Sequence, residues 1–183
     1  MLVIHPKDRT TRVLSLLYNE DVAVRVLDEY RSGKEMGRLL GHTSQHERIM
    51  LLGHGSENGL FYRKDDTKDV FDSIIVGHPH AYQLRKHSGN LIGIWCYADK
   101  FARKEGLHGL FSGMIISDVK EAQEYGIITL QMHIDEANYL LFSYLRRLLD
   151  EGTPLHEIPQ LMKEMKHEHS LVADFNQENF FYL

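Results

Sequence analysis

The sequence lacks the features typical of secreted, membrane-spanning and nucleic-acid-binding proteins. One cysteine in 183 residues cannot form an internal disulfide, so Cys96 is either a small core residue or a reactive thiol. No apolar run approaches the roughly 20 residues of a membrane span, and the segment MLVIHPKDRT lacks the long apolar middle of a signal peptide. A net charge of -5 with dispersed Lys and Arg provides no basic surface for nucleic acid. We therefore expect a cytoplasmic protein that contacts neither membranes nor nucleic acid.

Length and composition favour one globular domain over residues 1–183. The chain is 43% hydrophobic and 26% charged, which is enough apolar material for a core of its own. We find no internal repeat, low-complexity tract or linker that divides it. The 12 histidines are a high count and raise the hypothesis of a metal site.

Short apolar runs alternate with helical patterns along the chain. The runs that predict strands are 2–6, 22–28, 48–53, 90–99 and 109–118. Helices are predicted after a cap at Asp8 or Thr10, around Met36, after Pro79 and over 136–152. A turn and a short extended piece are expected at 58–62. Because parallel strands need crossover connections, this alternation predicts an α/β fold with a mostly parallel central sheet between helices.

Two of the predicted strands end in residues with catalytic chemistry. His54 lies between Gly53 and Gly55 and follows the strand predicted at 48–53, and Cys96 lies near the end of the next buried run. Ligand sites of open α/β sheets lie at the carboxyl ends of the strands, so both side chains are expected in one crevice. A histidine beside a cysteine lowers the thiol pKa or later protonates the leaving amine. Gly55 keeps a side chain away from a substrate backbone, and its N–H is a candidate oxyanion donor.

Three blocks of this sequence, in order, resemble the caspase-like cysteine peptidases, the group that includes caspases, legumains, gingipains and clostripain. The blocks are IMLLGHGSENGLF at 49–61, LRKHSGNLIGIWCYAD at 84–99 and GLFSGMIISDVKEAQEYG at 109–126. The resemblance covers roughly residues 2–130. It implies a caspase-haemoglobinase fold, a three-layer α/β/α arrangement that carries a Cys-His dyad.

The resemblance also implies a reaction and the residues that perform it. Peptide bonds of a peptide or protein substrate would be hydrolysed through an acyl-enzyme, without a cofactor. By motif position, Cys96 is the expected nucleophile, His54 the acid/base and Gly55 an oxyanion donor.

Substrate selection is expected at the third block, where Ser117 and Asp118 border the pocket for the residue before the scissile bond. An acidic residue in this loop selects a basic side chain in the family, so Arg or Lys is the expected preference. The flanks of the cysteine depart from the family pattern. Trp95 precedes the cysteine, Tyr97 and Ala98 follow it, and their bulk is expected to crowd the cleft. These aromatic flanks leave open a catalytically silent interaction domain on the same fold.

A metal-dependent hydrolase is the second alternative, because it would account for the histidine count. Its site would consist of His54, His78, His80 and His133 or Asp135. Pro79, between two of these histidines, is more typical of a loop than of a ligand pair, and Asp135 is more typical of a helix cap. We therefore expect no metal site.

Overall fold

The computed structural model describes residues 1–18, 23–68, 70–167 and 170–183. The strands are β1 Leu2–Ile4, β2 Arg25–Leu27, β3 Ile49–Leu52, β4 Gly55–Ser56, β5 Gly59–Tyr62, β6 Ser73–Gly77, β7 Leu91–Ile94, β8 Gly109–Ser112 and β9 Phe180–Tyr182. The α-helices are α1 Gly33–His42, α2 Ala81–Leu84, α3 Ala98–Glu105, α4 Val119–Glu124, α5 Gln131–Asp150, α6 Ile158–Lys163 and α7 Leu171–Gln177. Short 3-10 helices cover Arg9–Leu17, His78–His80 and Arg85–His87.

The central sheet has six strands in the order β2-β1-β3-β7-β8-β9. All its neighbouring strands run parallel except β8 and β9, which pair antiparallel at one edge. This confirms the prediction of an α/β fold with a mostly parallel sheet. The register pairs Leu52 of β3 with Ile94 of β7, so these two strands end side by side.

Alternation along the strands divides the core into two clusters, one on each face of the sheet. One cluster joins Val3, Met50, Ile92 and their neighbours to the 3-10 helix at Arg9–Leu17 and to α5 and α6. The other joins the alternate strand residues, such as Ile49, to α1, α2 and α3. Both faces are therefore covered by helices, which explains why the strands read as continuous apolar runs.

A separate three-stranded antiparallel sheet, in the order β4-β5-β6, follows β3 directly. A tight turn at 57–58 joins its first two strands, with Gly55 opposite Leu60 and Ser56 opposite Gly59. The turn and extended piece predicted here are confirmed. This hairpin begins immediately after His54 and so borders the ends of β3 and β7.

Several predicted elements have different bounds in the structure. The helix expected at 136–152 begins earlier, at Gln131, and ends at Asp150. Asp8 does cap the following segment, since its side chain accepts a hydrogen bond from the Thr10 N–H, but that segment is a 3-10 helix. Helices α3 and α4 were not predicted, because each is short and shows only part of an apolar face. The start of the strand predicted at 22–28 lies outside the described residues.

The fifth predicted strand, 109–118, is only partly a strand. The ladder of β8 ends at Ser112, although the chain beyond it stays buried. Side-chain amides replace the ladder there: Ile116 N–H donates to Asn176 Oδ1 at 2.8 Å, and its carbonyl accepts from Asn138 and Asn176 at 2.9 and 3.0 Å. A buried apolar segment can therefore look like a strand and still pair with side chains. Among the described helices, none is both long and apolar enough to cross a bilayer.

Candidate active site

His54 and Cys96 line the same small cavity at the carboxyl ends of adjacent strands. His54 follows β3 and Cys96 follows β7, and both side chains border a space of about 40 Å³. The remaining walls come from the 3-10 helix at Arg9–Leu17, from the segment after β8 and from α5. Representative wall residues are Leu14, Ile115 and Phe142. Both side chains therefore lie on the same face of the sheet.

Cys96 lies in a sharp turn that connects β7 to α3. The next residue, Tyr97, has a φ of 68°, which is left-handed and unusual for a side chain of this size. Such a conformation costs roughly 1–3 kcal/mol and persists only where surrounding contacts impose it. Those contacts are visible: Tyr97 N–H donates to the Gly113 carbonyl at 3.1 Å, and Trp95 N–H donates to Ser112 Oγ at 3.0 Å. The turn directs the chain into a helix and leaves the Cys96 side chain on the cavity.

The thiol of Cys96 is neutral in this structure. Its S–H points to the Ile115 carbonyl, with 3.8 Å between sulfur and oxygen. Burial raises the pKa of the thiol to about 11, and the nearby carboxylates of Glu121 and Asp118 add to the shift. The resting site therefore does not hold a preformed thiolate. His54 does not lower the pKa of the Cys96 thiol here, which was one of the two roles expected for it.

The His54 imidazole is three-quarters buried, with 24% of its side chain exposed. Its Nε2 lies 2.7 Å from Thr10 Oγ1, and the Phe71 ring packs against it at 5.3 Å between centroids. Burial lowers the pKa of His54 below its usual value of 6.5, Asp8 and Asp118 oppose that shift, and Arg63 adds to it. At neutral pH the ring is therefore uncharged and able to accept a proton.

Gly55 has a packing role as well as a free backbone N–H. A Cβ at this position would overlap the Trp95 indole. Phe61 N–H donates to the His54 carbonyl at 2.8 Å, which makes that pair a hydrogen-bonded one. Because such pairs alternate along an antiparallel ladder, Gly55 opposite Leu60 belongs to a non-bonded pair, and its N–H points away from β5. That N–H is available to a bound group.

Ser117 and Asp118 lie beside the same cavity. Ser117 is one of its lining residues, and its N–H and hydroxyl both donate to Glu121 Oε2, at 2.7 and 2.9 Å. Asp118 is exposed and caps α4 by accepting the Glu121 N–H at 2.8 Å. Its negative charge partly opposes the lowering of the His54 pKa by burial and adds to the raised pKa of Cys96.

The other histidines singled out in the sequence lie in different surroundings. His78 Nδ1 contacts the Glu105 carboxylate at 2.9 Å. His80 is buried, accepts the Gly77 N–H at Nδ1 and donates from Nε2 to the Gly33 carbonyl at 3.0 Å. Within the described ranges, no three His, Cys, Asp or Glu side chains are grouped closely enough to hold a metal ion.

His133 and Asp135 are exposed on α5 and are not among the residues that line this cavity. His133 borders a second, wider cleft of about 700 Å³, which also includes residues of α7. Asp135 accepts a hydrogen bond from Gln131 at 2.9 Å, within the first turn of the helix. The structure thus brings together His54, Cys96 and the Ser117 loop, and does not bring the other histidines to them.

Three residues next to His54 were not predicted to belong to the site. Thr10 contacts the imidazole, Asp8 contacts Thr10, and Arg63 contacts both. Asp8 and Thr10 were considered only as helix caps, and Arg63 was not singled out. A signal was available for the first two, since they follow β1, whose carboxyl end lies at the same edge of the sheet as the end of β3.

Comparisons of the chain with protein-family models, with curated proteins and with solved structures gave no match.

Proposed function

We propose that this chain is a caspase-like cysteine peptidase that hydrolyses peptide bonds through an acyl-enzyme on Cys96. The observation that supports it most is the single cavity shared by His54 and Cys96 at adjacent strand ends. A nucleophile and a base in one crevice are the minimum for this chemistry. The blocks of sequence that resemble the caspase-like peptidases contain these same two residues.

The protonation states suggest how acylation proceeds. The neutral His54 ring takes the thiol proton as the Cys96 sulfur bonds to the scissile carbonyl carbon, which gives a tetrahedral oxyanion. The N–H groups of Gly55 and Cys96 are the donors proposed for that oxyanion. The His54 imidazolium then protonates the amine nitrogen as the C–N bond breaks and the thioester forms. Water attacks the thioester carbon while His54 takes a proton from it; the His54 imidazolium then protonates the Cys96 sulfur as the C–S bond breaks, which releases the acid product and restores the thiol.

A thiol with a raised pKa suits this order of events. Its proton leaves during attack and not before it, so sulfur becomes nucleophilic only when a carbonyl carbon is in place. The pair at rest is a thiol and an imidazole, both uncharged, which is the less costly state in a buried crevice. Substrate binding is therefore the step that starts proton transfer.

The carboxylates beside the cavity favour a basic side chain in the substrate. Asp118 is exposed at the rim, and Glu121 lies behind it. The cavity of about 40 Å³ is too small to enclose an Arg or Lys side chain. A substrate side chain would therefore lie along the open rim at Asp118. Arg or Lys before the cleaved bond is the proposed preference.

Fluorogenic peptides that differ only in the residue before the cleaved bond test this proposal. With Arg, Lys, Asp and Asn compared, we expect hydrolysis of the Arg and Lys peptides. Cys96→Ala abolishes it, and His54→Ala lowers kcat about 10²–10⁴-fold through loss of general acid-base catalysis. His78→Ala, a histidine with 81% of its side chain exposed, is the matched control and leaves activity unchanged. Activity that persists in Cys96→Ala, or a wild-type chain inert toward every peptide, contradicts the proposal.

A catalytically silent interaction domain is the second candidate, and the buried, neutral thiol and small cavity favour it. A lysyl peptide that carries an acyloxymethyl ketone separates the two candidates. A peptidase alkylates its own Cys96 with this probe much faster than with iodoacetamide, because binding delivers the ketone to sulfur. An interaction domain shows no such preference, and intact mass spectrometry reads out both reactions.

A further inference from the structure

We infer that Asp8, Thr10 and Arg63 form a hydrogen-bond chain that keeps the proton of His54 on Nε2 and leaves Nδ1 to receive the proton of Cys96. The inference rests on the proposed function for its catalytic meaning. Its structural content, the position of one proton on one ring, stands on the contacts of Thr10 alone.

The Thr10 hydroxyl has three polar neighbours and one proton to give. Asp8 Oδ1 lies 2.6 Å from Oγ1, His54 Nε2 lies 2.7 Å away, and the Arg63 Nη2 donates to it at 3.1 Å. A hydroxyl donates once and accepts twice. The direction of each bond therefore follows from which neighbour receives the single proton.

That neighbour is Asp8. Burial raises the pKa of its carboxyl, but hydrogen bonds from Arg63 and Thr10 outweigh this and lower it to about 2. An ionised carboxylate only accepts, and an oxygen at 2.6 Å without a proton between the two atoms would be repelled. Thr10 therefore donates to Asp8 and accepts from His54. His54 Nε2 must carry the hydrogen.

The chain is held rigidly on the side away from His54. The side chains of Asp8 and Arg63 are each only 6% exposed, and Arg63 bonds both carboxylate oxygens of Asp8. Arg63 also donates to the Lys68 carbonyl at 2.9 Å, which fixes the guanidinium to the loop after β5. Thr10 itself is exposed, so its orientation depends on these bonds and not on packing.

Thr10, Asp8 and Arg63 are thus positioning residues. With the proton on Nε2, Nδ1 is the ring nitrogen that can accept a proton. The hydrogen bond from Nε2 to Thr10 restricts rotation of the imidazole ring. Without the hydrogen bond to Thr10, the neutral ring can adopt either tautomer and can tilt in the cavity. Misplacement of a catalytic group by about 1 Å costs on the order of 10²-fold in rate.

The test combines proton detection with kinetics on the full chain. In chain labelled with ¹⁵N-histidine, long-range ¹H–¹⁵N spectra assign the His54 ring by its absence in His54→Gln. We expect a neutral ring with a proton on Nε2, visible because the hydrogen bond slows its exchange. Thr10→Val loses that proton signal and lowers kcat/KM about 100-fold, whereas Thr10→Ser retains both. Thr43→Val is the matched control, since that hydroxyl bonds the Leu39 carbonyl at 2.8 Å and lies outside the site.

Three results overturn the inference: a wild-type ring protonated on Nδ1, a Thr10→Val chain that keeps the Nε2 proton signal and full activity, or a Thr10→Ser chain as impaired as Thr10→Val. A wild-type chain without peptidase activity is a different failure. It removes the proposed function, while the spectrum still decides where the His54 proton lies.

Discussion

The alkylation rate of Cys96 measures the central electrostatic feature of the site. At pH 7.5, a thiol with a pKa of about 11 is ionised in roughly 3 molecules in 10⁴, against about 1 in 10 for a free cysteine. The more basic thiolate is the better nucleophile, which recovers about 10-fold. The native chain should therefore react with iodoacetamide about 20-fold or more slowly than an unperturbed cysteine.

The unfolded chain provides the comparison, because Cys96 is its single cysteine. Intact mass spectrometry gives the rate for native and guanidinium-unfolded protein between pH 6.5 and 10. The native rate should keep rising with pH where the unfolded rate levels off. A native rate that levels off below pH 8, or exceeds the unfolded rate at pH 7.5, refutes the neutral thiol and with it the proposed order of proton transfer.

The same assay tests the cause of the shift. Glu121→Gln keeps an oxygen to accept from Ser117 but removes a negative charge near the sulfur, so the thiol pKa falls and the native rate rises. Glu124→Gln removes a charge of the same sign from an exposed position on the same helix and serves as the control. Equal rates in the two variants would mean that the Glu121 charge does not contribute to the shift.

Four further predictions concern stability, each measured by urea or acid unfolding. Asp8→Ala removes the carboxylate that binds the buried Arg63 guanidinium and should lower the free energy of unfolding by about 3–5 kcal/mol. In the wild type, the lowered pKa of Asp8 contributes about 2 kcal/mol at neutral pH, which is lost as pH falls from about 4 to about 2, and an acid transition without a contribution in that window contradicts it. Gly55→Ala should cost about 1–3 kcal/mol through overlap with the neighbouring indole, and a neutral effect would show that the hairpin moves freely. Asn176→Ala leaves the buried Ile116 N–H without its acceptor, while the Ile116 carbonyl keeps its bond from Asn138, and should cost about 1–3 kcal/mol; a smaller loss would mean that water replaces the lost amide.

The strands, and the position of His54 and Cys96 at neighbouring strand ends, could be predicted because their sequence signals are local. A continuous apolar run such as Ile49–Leu52 is readable within a few residues, and the position of a site at strand ends is a general property of parallel sheets. The placement of His54 and Cys96 on one cavity needed no more than these two facts. What they do there stays a prediction.

The features that escaped sequence analysis depend on contacts between residues far apart in the chain. Asn176 reaches the backbone of Ile116 across 60 positions, and Arg63 reaches Asp8 across 55. The sequence near 113–118 does not indicate that side-chain amides will form hydrogen bonds with the backbone of this segment. In the same way, the sequence around Asp8 indicates a helix cap, but it does not indicate that Asp8 also contacts Thr10 beside the His54 imidazole.

The Trp95 indole connects two parts of the site that the chain keeps apart. Its Nε1–H donates to the Ser56 carbonyl at 3.0 Å, and the ring lies beneath Gly55 and against Phe101. Trp95 is 2% exposed, is one of the residues that line the cavity, and holds the hairpin to the chain before Cys96. We therefore expect any displacement of the hairpin to move the Gly55 and Cys96 amides together.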